Sequence, residues 1–464
     1  MKSLLKPLLI GLLIFNQCAF AQINSGGGFH ALQLCNDGTV KAWGRNANGQ
    51  LGNGTYVDSS VPVQVYNMSN VTAISSGGLH SLAIKSDSTV WAWGMNTSGQ
   101  LGNGNNNTSN FPVQVNNLTG IVAISAGAVH SLALKSDGTV WAWGSNANGR
   151  LGIGTTVDSN YPVQVTGLTN VKAISGAGSH SLALKNDSTV WTWGHNNYGQ
   201  LGNGNNTTSL IPVQTIGLSE IVAIDGSNRY SSVAIASDST VWSWGYNEYG
   251  QLGNGLFSTA SYSPVQAIGL TNVVAVELGE YHAMALKSDS TIWTWGRNDF
   301  GQLGHGTAAD SSYPTQVANL NGIEKIAHGM MYSYSQVVKY DGTIWSWGSN
   351  FYGNFGTGTT GFNNTPIDAT ILCNVTNLTQ NSIDKMFVIS PNPATNFIDI
   401  KINYPKNKHV VQIFGMDGAL QKEVVVDKTD RIQLDNFASG VYLFKLSEMN
   451  GMHEPLIQKI IINN

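Results

Sequence analysis

Five histidines stand at one position of a recurring segment: His30, His80, His130, His180 and His282, with Ser231 and Tyr334 in the two remaining copies. Imidazole is the commonest protein metal ligand and titrates near neutral pH, so the set invites a zinc site or a proton relay. Zinc needs its ligands about 2.0–2.1 Å from one point, whereas residues equivalent by repeat are spread around whatever the repeats build. The expectation is therefore a structural hydrogen bond from each imidazole within its own repeat unit, as buried polar groups require. Asp58, Asp158 and Asp310 lie in Ser- and Thr-rich loops that suit calcium, yet no regular ligand ladder accompanies them. The Leu-Gly-Asn-Gly segments lack the Gly-Lys-Thr ending and following helix of a phosphate cradle and read as turns. Paired carboxylates at a shared spacing are missing, as are a Gly-x-Ser-x-Gly elbow and a thiol with a basic partner. No catalytic residue, metal ligand or cofactor site is expected, and hence no enzyme.

The elements that carry these residues repeat seven times. VWAWG at 90–94 returns as VWAWG at 140, VWTWG at 190, VWSWG at 241, IWTWG at 292 and IWSWG at 344, after VKAWG at 40. The second tryptophan falls at Trp43, Trp93, Trp143, Trp193, Trp244, Trp295 and Trp347, in steps of 50, 50, 50, 51, 51 and 52 residues. A period near 50 with several short strands per unit marks units that bury their apolar faces only by stacking on their neighbours. In residues 71–115 four runs read as strands: Val71–Ile74, His80–Lys85, Thr89–Trp93 and Pro112–Val115. Ser86-Asp87-Ser88 supplies hairpin chemistry between the second and third. Alternation puts Trp91 and Trp93 on one face and Val90 and Ala92 on the other, so each sheet must be covered on both sides. Four strands per unit and seven units predict an all-β, closed seven-bladed β-propeller.

The first copy has little room for its innermost strand, while the last overshoots into Cys373-Asn374-Val375-Thr376-Asn377-Leu378. This segment is expected to supply the missing strand of the first blade. A hairpin centred near Gly77 sets Ser69 opposite Lys85, positions that correspond to Cys373 and Cys35, so a disulfide between Cys35 and Cys373 is expected at the seam.

Lys2 and Lys6, the apolar run Leu8–Phe15 and the small residues Ala19 and Ala21 predict a signal peptide over 1–21, cleaved to leave Gln22 and taking Cys18 with it. The run is too short to span a membrane, which needs about 20 apolar residues, so no transmembrane segment is expected. Residues 22–383 hold 12 Lys and Arg against 18 Asp and Glu, and charged residues are 11% of the chain. That excludes the basic surface a nucleic-acid partner needs.

The repeat core HSLALKSDGTVWAWGSNANGRLGIGT, followed by Pro-Val-Gln-Val, resembles the repeats of the regulator of chromosome condensation family over residues 23–378. The resemblance implies the seven-bladed fold. The founder of that family is a nuclear exchange factor for a small GTPase that also docks on chromatin; a guanine-nucleotide-exchange role is the remoter reading here, given the signal peptide and the lack of a basic tail. Secreted bacterial propellers of this type include an inhibitor that covers the mouth of a β-lactamase, so a secreted inhibitor capping a hydrolase is the alternative. Residues 381–464 form a second domain after the propeller at 22–380. Ser390-Pro391-Asn392-Pro393-Ala394-Thr395-Asn396, VVQIFGMDGAL at 410–420 and LDNFASGVYLFKL at 434–446 resemble the type A sorting domain of the type IX secretion system. Alternating runs there predict a small β-sandwich. The resemblance implies the type IX machinery as a partner and a secreted or cell-surface location.

The remaining function is binding, by loops on a rigid scaffold. Aromatics gather after the Trp-Gly of blades four to seven. Tyr198, Tyr249, Phe300 and Tyr352 share one repeat position and are expected to be packing residues. The candidate partner-binding residues are His195, Tyr246, Glu248, Arg297 and Phe351, since Tyr and Arg dominate interface hot spots. The expected protein is a monomeric, non-enzymatic binding module for an unknown extracellular protein or glycan.

Overall fold

The computed structural model describes residues 22–23, 28–328 and 333–369, and in the C-terminal part 387–390, 397–402, 409–415, 420–426, 429–434, 436–448 and 456–462. The signal segment with Cys18, the stretch Cys373–Leu378 and residues 391–396 of the Ser-Pro-Asn-Pro motif lie outside these residues. Contacts divide the chain into Met1–Cys373 and Asn374–Asn464.

Each repeat is one antiparallel four-stranded sheet whose strands follow in chain order from the inside outward. In the second blade they are Val71–Ser76, His80–Lys85, Val90–Gly94 and Ser109–Gln114. The turn between the second and third strands is set locally. Asp87 Oδ1 accepts the Thr89 backbone N–H at 3.0 Å and the Thr89 hydroxyl at 2.6 Å, and Ser88 takes a φ of 62°. Gly38, Gly138 and Gly342 hold this left-handed position in three blades and serine in the other four. The aspartate clamp offsets the strain that a Cβ brings there.

The seven second tryptophans are all 0% exposed, and they define the blade junctions. Trp93 packs with Val71 and Ala83 of its own blade on Leu32, Leu34 and Val40 of the blade before. Its indole N–H donates to the Gln50 carbonyl at 2.8 Å. The same bond recurs at every junction, ending with Trp43 donating to the Asn354 carbonyl at 2.7 Å across 311 residues. At the perimeter the Leu-Gly-Asn-Gly turn of each blade reaches the next: Gly54 N–H donates to the Asn110 carbonyl at 2.9 Å, and Gly358 N–H to the Ser60 carbonyl at 2.8 Å. The last blade is thus bonded to the first, and the ring is closed.

The seam departs from the sequence expectation in two ways. Gln22 and Ile23 themselves pair with Leu34 and Gln33, taking the inner place that Cys373–Leu378 was expected to fill. The register also corrects the cysteine argument: Val71, not Ser69, lies opposite Lys85, because a bulge between Val71 and Ala73 shifts the pairing. Cys35 is 3% exposed and disulfide-bonded, while Cys373 lies outside the described residues.

In the C-terminal unit a three-stranded sheet (Phe387–Ser390, Phe397–Ile402, Thr429–Gln433) and a four-stranded sheet (Leu420–Val426, His409–Gly415, Gly440–Glu448, Leu456–Ile462) enclose Ile398, Ile400, Val411, Ile413 and Phe444. This is the small sandwich read from the alternating runs.

Candidate functional site

The histidines bond between blades, not within them. His30 Nε2 meets the Ser81 hydroxyl at 2.8 Å, His80 meets Ser131 at 2.9 Å, His130 meets Ser181 at 2.9 Å, His180 meets Ser232 at 2.8 Å and His282 meets Ser335 at 3.0 Å. Ser131 in turn donates to the Gln100 carbonyl at 2.9 Å, the acceptor that also receives the Trp143 indole. Because the hydroxyl proton is committed to that carbonyl, His80 Nε2 is the donor and the imidazole is neutral. Burial holds His30, His80 and His180 down to about 3, the nearby His80 also lowering His30, and His195 then Arg150 lowering His180; burial, then Arg150, pushes His130 well below the usual histidine range. These residues are junction fasteners spread around the ring. We expect S131A to cost about 1–3 kcal/mol by leaving the His80 N–H without an acceptor. The double variant H80S/S131A recreates the Ser231 and Ala283 junction and is expected to cost less than the two single changes summed, by about 0.5 kcal/mol or more. Additive unfolding free energies in a denaturant titration would exclude the coupling.

The three loop aspartates have a structural task. Asp58, Asp158 and Asp310 each accept the backbone N–H of the asparagine after Trp-Gly, Asn46, Asn146 and Asn298, at 2.6, 2.7 and 2.7 Å. Among the described residues no group of three or more His, Cys, Asp or Glu is placed to hold a metal.

Each blade does bring variable side chains to one end of its sheet. The residue before the histidine position offers its carbonyl to the N–H of the residue after Trp-Gly: Leu79 to Met95, Tyr230 to Tyr246, Tyr281 to Arg297, all at 2.9–3.0 Å. The intervening glycine makes this approach possible. Gly94 has φ 102°, and a Cβ there would lie 2.6 Å from the Leu79 carbonyl oxygen. The aromatic position of the preceding blade then packs on this pair.

In blades four to six these positions form one aromatic patch. Tyr198 stacks on Tyr230 at 5.0 Å and 28°, with His195 5.1 Å from Tyr230. Tyr246 lies 5.1 Å from Tyr198 and 5.7 Å from Tyr281, and Tyr249 lies 5.0 Å from Tyr281. The Arg297 guanidinium sits 5.0 Å over Tyr249 and 5.4 Å over Tyr281 and is paired with Asp299 at 2.6 Å. Arg229 is paired with Glu280 at 3.2 Å. Tyr246 donates its hydroxyl to Glu248 at 2.6 Å; burial and that acceptor both push the phenol upward, so it stays protonated. Burial also raises Glu280 against the pull of Arg229. All five tyrosines are half-buried, with flat faces held by neighbours.

Of the five candidate residues, His195, Tyr246, Glu248 and Arg297 come together here. Phe351 does not join them. It is 48% exposed and packs on Phe300 at 5.7 Å, one junction further on. Tyr198 and Tyr249, expected to be packing residues, do pack between blades and are also part of the patch. Arg229, Tyr230, Glu280 and Tyr281 escaped the sequence reading. Their signal was the residue before the histidine position, which runs Phe29, Leu79, Val129, Ser179, Tyr230, Tyr281 and Ser333, and the extra residue between Gly226 and Ser231 that makes the step to Trp244 51. Tyr230 also takes φ 65°, a left-handed conformation that bulky residues rarely adopt.

Comparison with known proteins agrees with this architecture. The RCC1-like domain model matches residues 110–384, regulator of chromosome condensation (RCC1) repeats match 37–84, 20–50 and 71–100, and the secretion system C-terminal sorting domain matches 388–463. The E3 ubiquitin-protein ligase HERC2 of Homo sapiens is 37% identical over 131 residues, 28% of this chain and 3% of that protein. The ultraviolet-B receptor UVR8 of Arabidopsis thaliana is 38% identical over 133 residues, 28% of this chain and 30% of the receptor. The chain therefore spans only a small part of these relatives. Yeast RCC1 (Prp20), solved bound to Kap60, superposes with a TM-score of 0.65 at 22% identity over 77% of this chain and 85% of that one, and human WBSCR16 with 0.65 at 21% over 72% and 94%; at such identity the likeness is one of fold. Among the described residues no helix is long and apolar enough to cross a membrane. With the repeats, the closed ring and the terminal sorting sequence in agreement, the chain belongs to the RCC1-like domain family and carries a secretion system sorting domain at its C-terminal end.

Proposed function

We propose that this protein is a secreted or surface-held, non-enzymatic binding module that engages an extracellular partner through the aromatic patch of blades four to six. The observation that carries the reading is the asymmetry of that end of the ring. The first three junctions carry Asn48 and Leu79, Ser98 and Val129, and Asn148 and Ser179 at the corresponding positions, so the fold does not need aromatics there. Blades four to six nevertheless place tyrosines at these positions, Tyr198 with Tyr230 and Tyr249 with Tyr281, and add Tyr246, Arg229 and Arg297 around them. Half-buried tyrosine and arginine on a rigid scaffold are the composition of binding hot spots. In this reading residues 1–21 direct export, 22–380 bind, 381–464 address the type IX machinery, and Cys35 pairs with Cys373.

The test compares the full chain with Y246A/R297A against culture-supernatant proteins and a glycan array. We expect the partner retained by the native chain to be lost, with an affinity drop of at least about 100-fold, since two hot-spot residues cost about 2 kcal/mol each. Unchanged retention by a folded double variant would remove the patch from the function.

A further inference from the structure

Six blades carry an amide at the residue whose carbonyl receives the junction indole: Gln50, Gln100, Gln200, Gln251, Gln302 and Asn354. Blade three carries Arg150. The amides show that the junction closes without charge, yet Arg150 is only 7% exposed. Its Nε donates to the Ala147 carbonyl and Nη1 to the Gly178 carbonyl of blade four, both at 3.0 Å. Among the described residues no carboxylate lies within ion-pair distance of it. Asp158 acts on it only from beyond ion-pair distance, and a buried guanidinium without a directly paired anion is costly.

His195 supplies a second donor beside it. The Gln200 amide donates to His195 Nδ1 at 2.6 Å, which leaves the ring proton on Nε2. Burial, then the charge of Arg150, lowers the basicity of His195, so the ring stays neutral. The other cations of the patch are already satisfied, Arg229 by Glu280 and Arg297 by Asp299. A cation without a direct ion pair and a neutral N–H therefore stand beside the stacked Tyr198 and Tyr230.

Resting on the binding face proposed above, we infer that its ligand is an extracellular glycan containing a uronate sugar, whose carboxylate binds Arg150 and His195 while its ring lies on Tyr198. A sugar fits better than an acidic peptide. Glu248, Glu280 and Asp299 on the same patch repel a run of carboxylates, whereas flat tyrosines amid Asn, Ser and Thr suit a pyranose bearing one charge.

The experiment titrates the full chain with an octasaccharide alternating glucuronate and N-acetylglucosamine, with its carboxyl methyl ester, and with a glutamate-rich peptide. We expect the free acid to bind, and R150Q, which installs the residue of the other blades, to weaken it tenfold or more with an unchanged melting temperature. Y198N, the residue of blades one and three, is expected to weaken both sugars alike. Equal binding of acid and ester, no binding of the acid, or no effect of R150Q overturns the inference. Arg150-dependent binding of the peptide alone replaces the sugar with an acidic peptide. If the partner loss of Y246A/R297A persists while the uronate fails, the binding face stands and only its ligand class falls.

Discussion

Acidification from pH 7 to about 4.5 is expected to unfold the propeller cooperatively, through histidines buried at the blade junctions. Four of the junction histidines are buried and neutral, with His30, His80 and His180 held down to about 3 and His130 well below its usual range. In the unfolded chain each protonates near pH 6.5. Folded pKa values below the unfolded ones mean that the unfolded state binds more protons. Stability is therefore full above about pH 6.5 and falls as the pH drops toward 3. At pH 5 each of His30, His80 and His180 accounts for about 2 kcal/mol of lost stability, so the three together remove about 6 kcal/mol, comparable with the 5–15 kcal/mol that holds a typical domain, and His130 acts in the same direction. Far-ultraviolet circular dichroism and tryptophan fluorescence against pH would show the transition, and a flat profile down to pH 4 would refute the assignment. H80S/S131A removes one of the four proton acceptors and should make the transition less steep.

The second large effect is expected at the seam. Trp43 is fully buried and its indole holds the first blade to the Asn354 carbonyl of the last. W43A should cost about 3–5 kcal/mol for the lost burial and cavity, lowering the melting temperature on the order of 10 °C. W43F keeps part of the apolar contact but loses the N–H and part of the ring, and its cost should lie between about 1 kcal/mol and that of W43A. Trp143 makes the same bond between blades two and three, which the chain already joins. Under reducing conditions W43A should therefore be the more damaging of the two. Equal losses for W43A and W143A would mean that closure contributes nothing beyond local packing.

The histidine network was legible in principle. The serine that receives each imidazole lies one repeat later, and the two repeats with alanine there, at Ala283 and Ala31, are those that follow Ser231 and Tyr334, the two without histidine. Aromatic pairing follows the same rule: Tyr198 faces Tyr230, Tyr249 faces Tyr281 and Tyr352 faces Phe29, while the corresponding positions of the first junction carry Asn48 and Leu79. Both regularities join consecutive copies, so comparing equivalent positions within single repeats hides them. The register of the inner hairpin resisted for another reason. The bulge at Val71 shifts the pairing without leaving a mark in the apolar pattern.

By itself the sequence determined the number of blades and their strands. These follow from local alternation, turn chemistry and a tryptophan period that every copy repeats. Only the tertiary structure decided which residues share a site. It set Arg229 and Glu280 together across 51 residues, brought Arg150 to the loop of blade four and sent Phe351 away from the group it was expected to join. The physical reason is that a blade cannot cover its own faces. Its contacts are made with the next copy, and the site lies at the junctions.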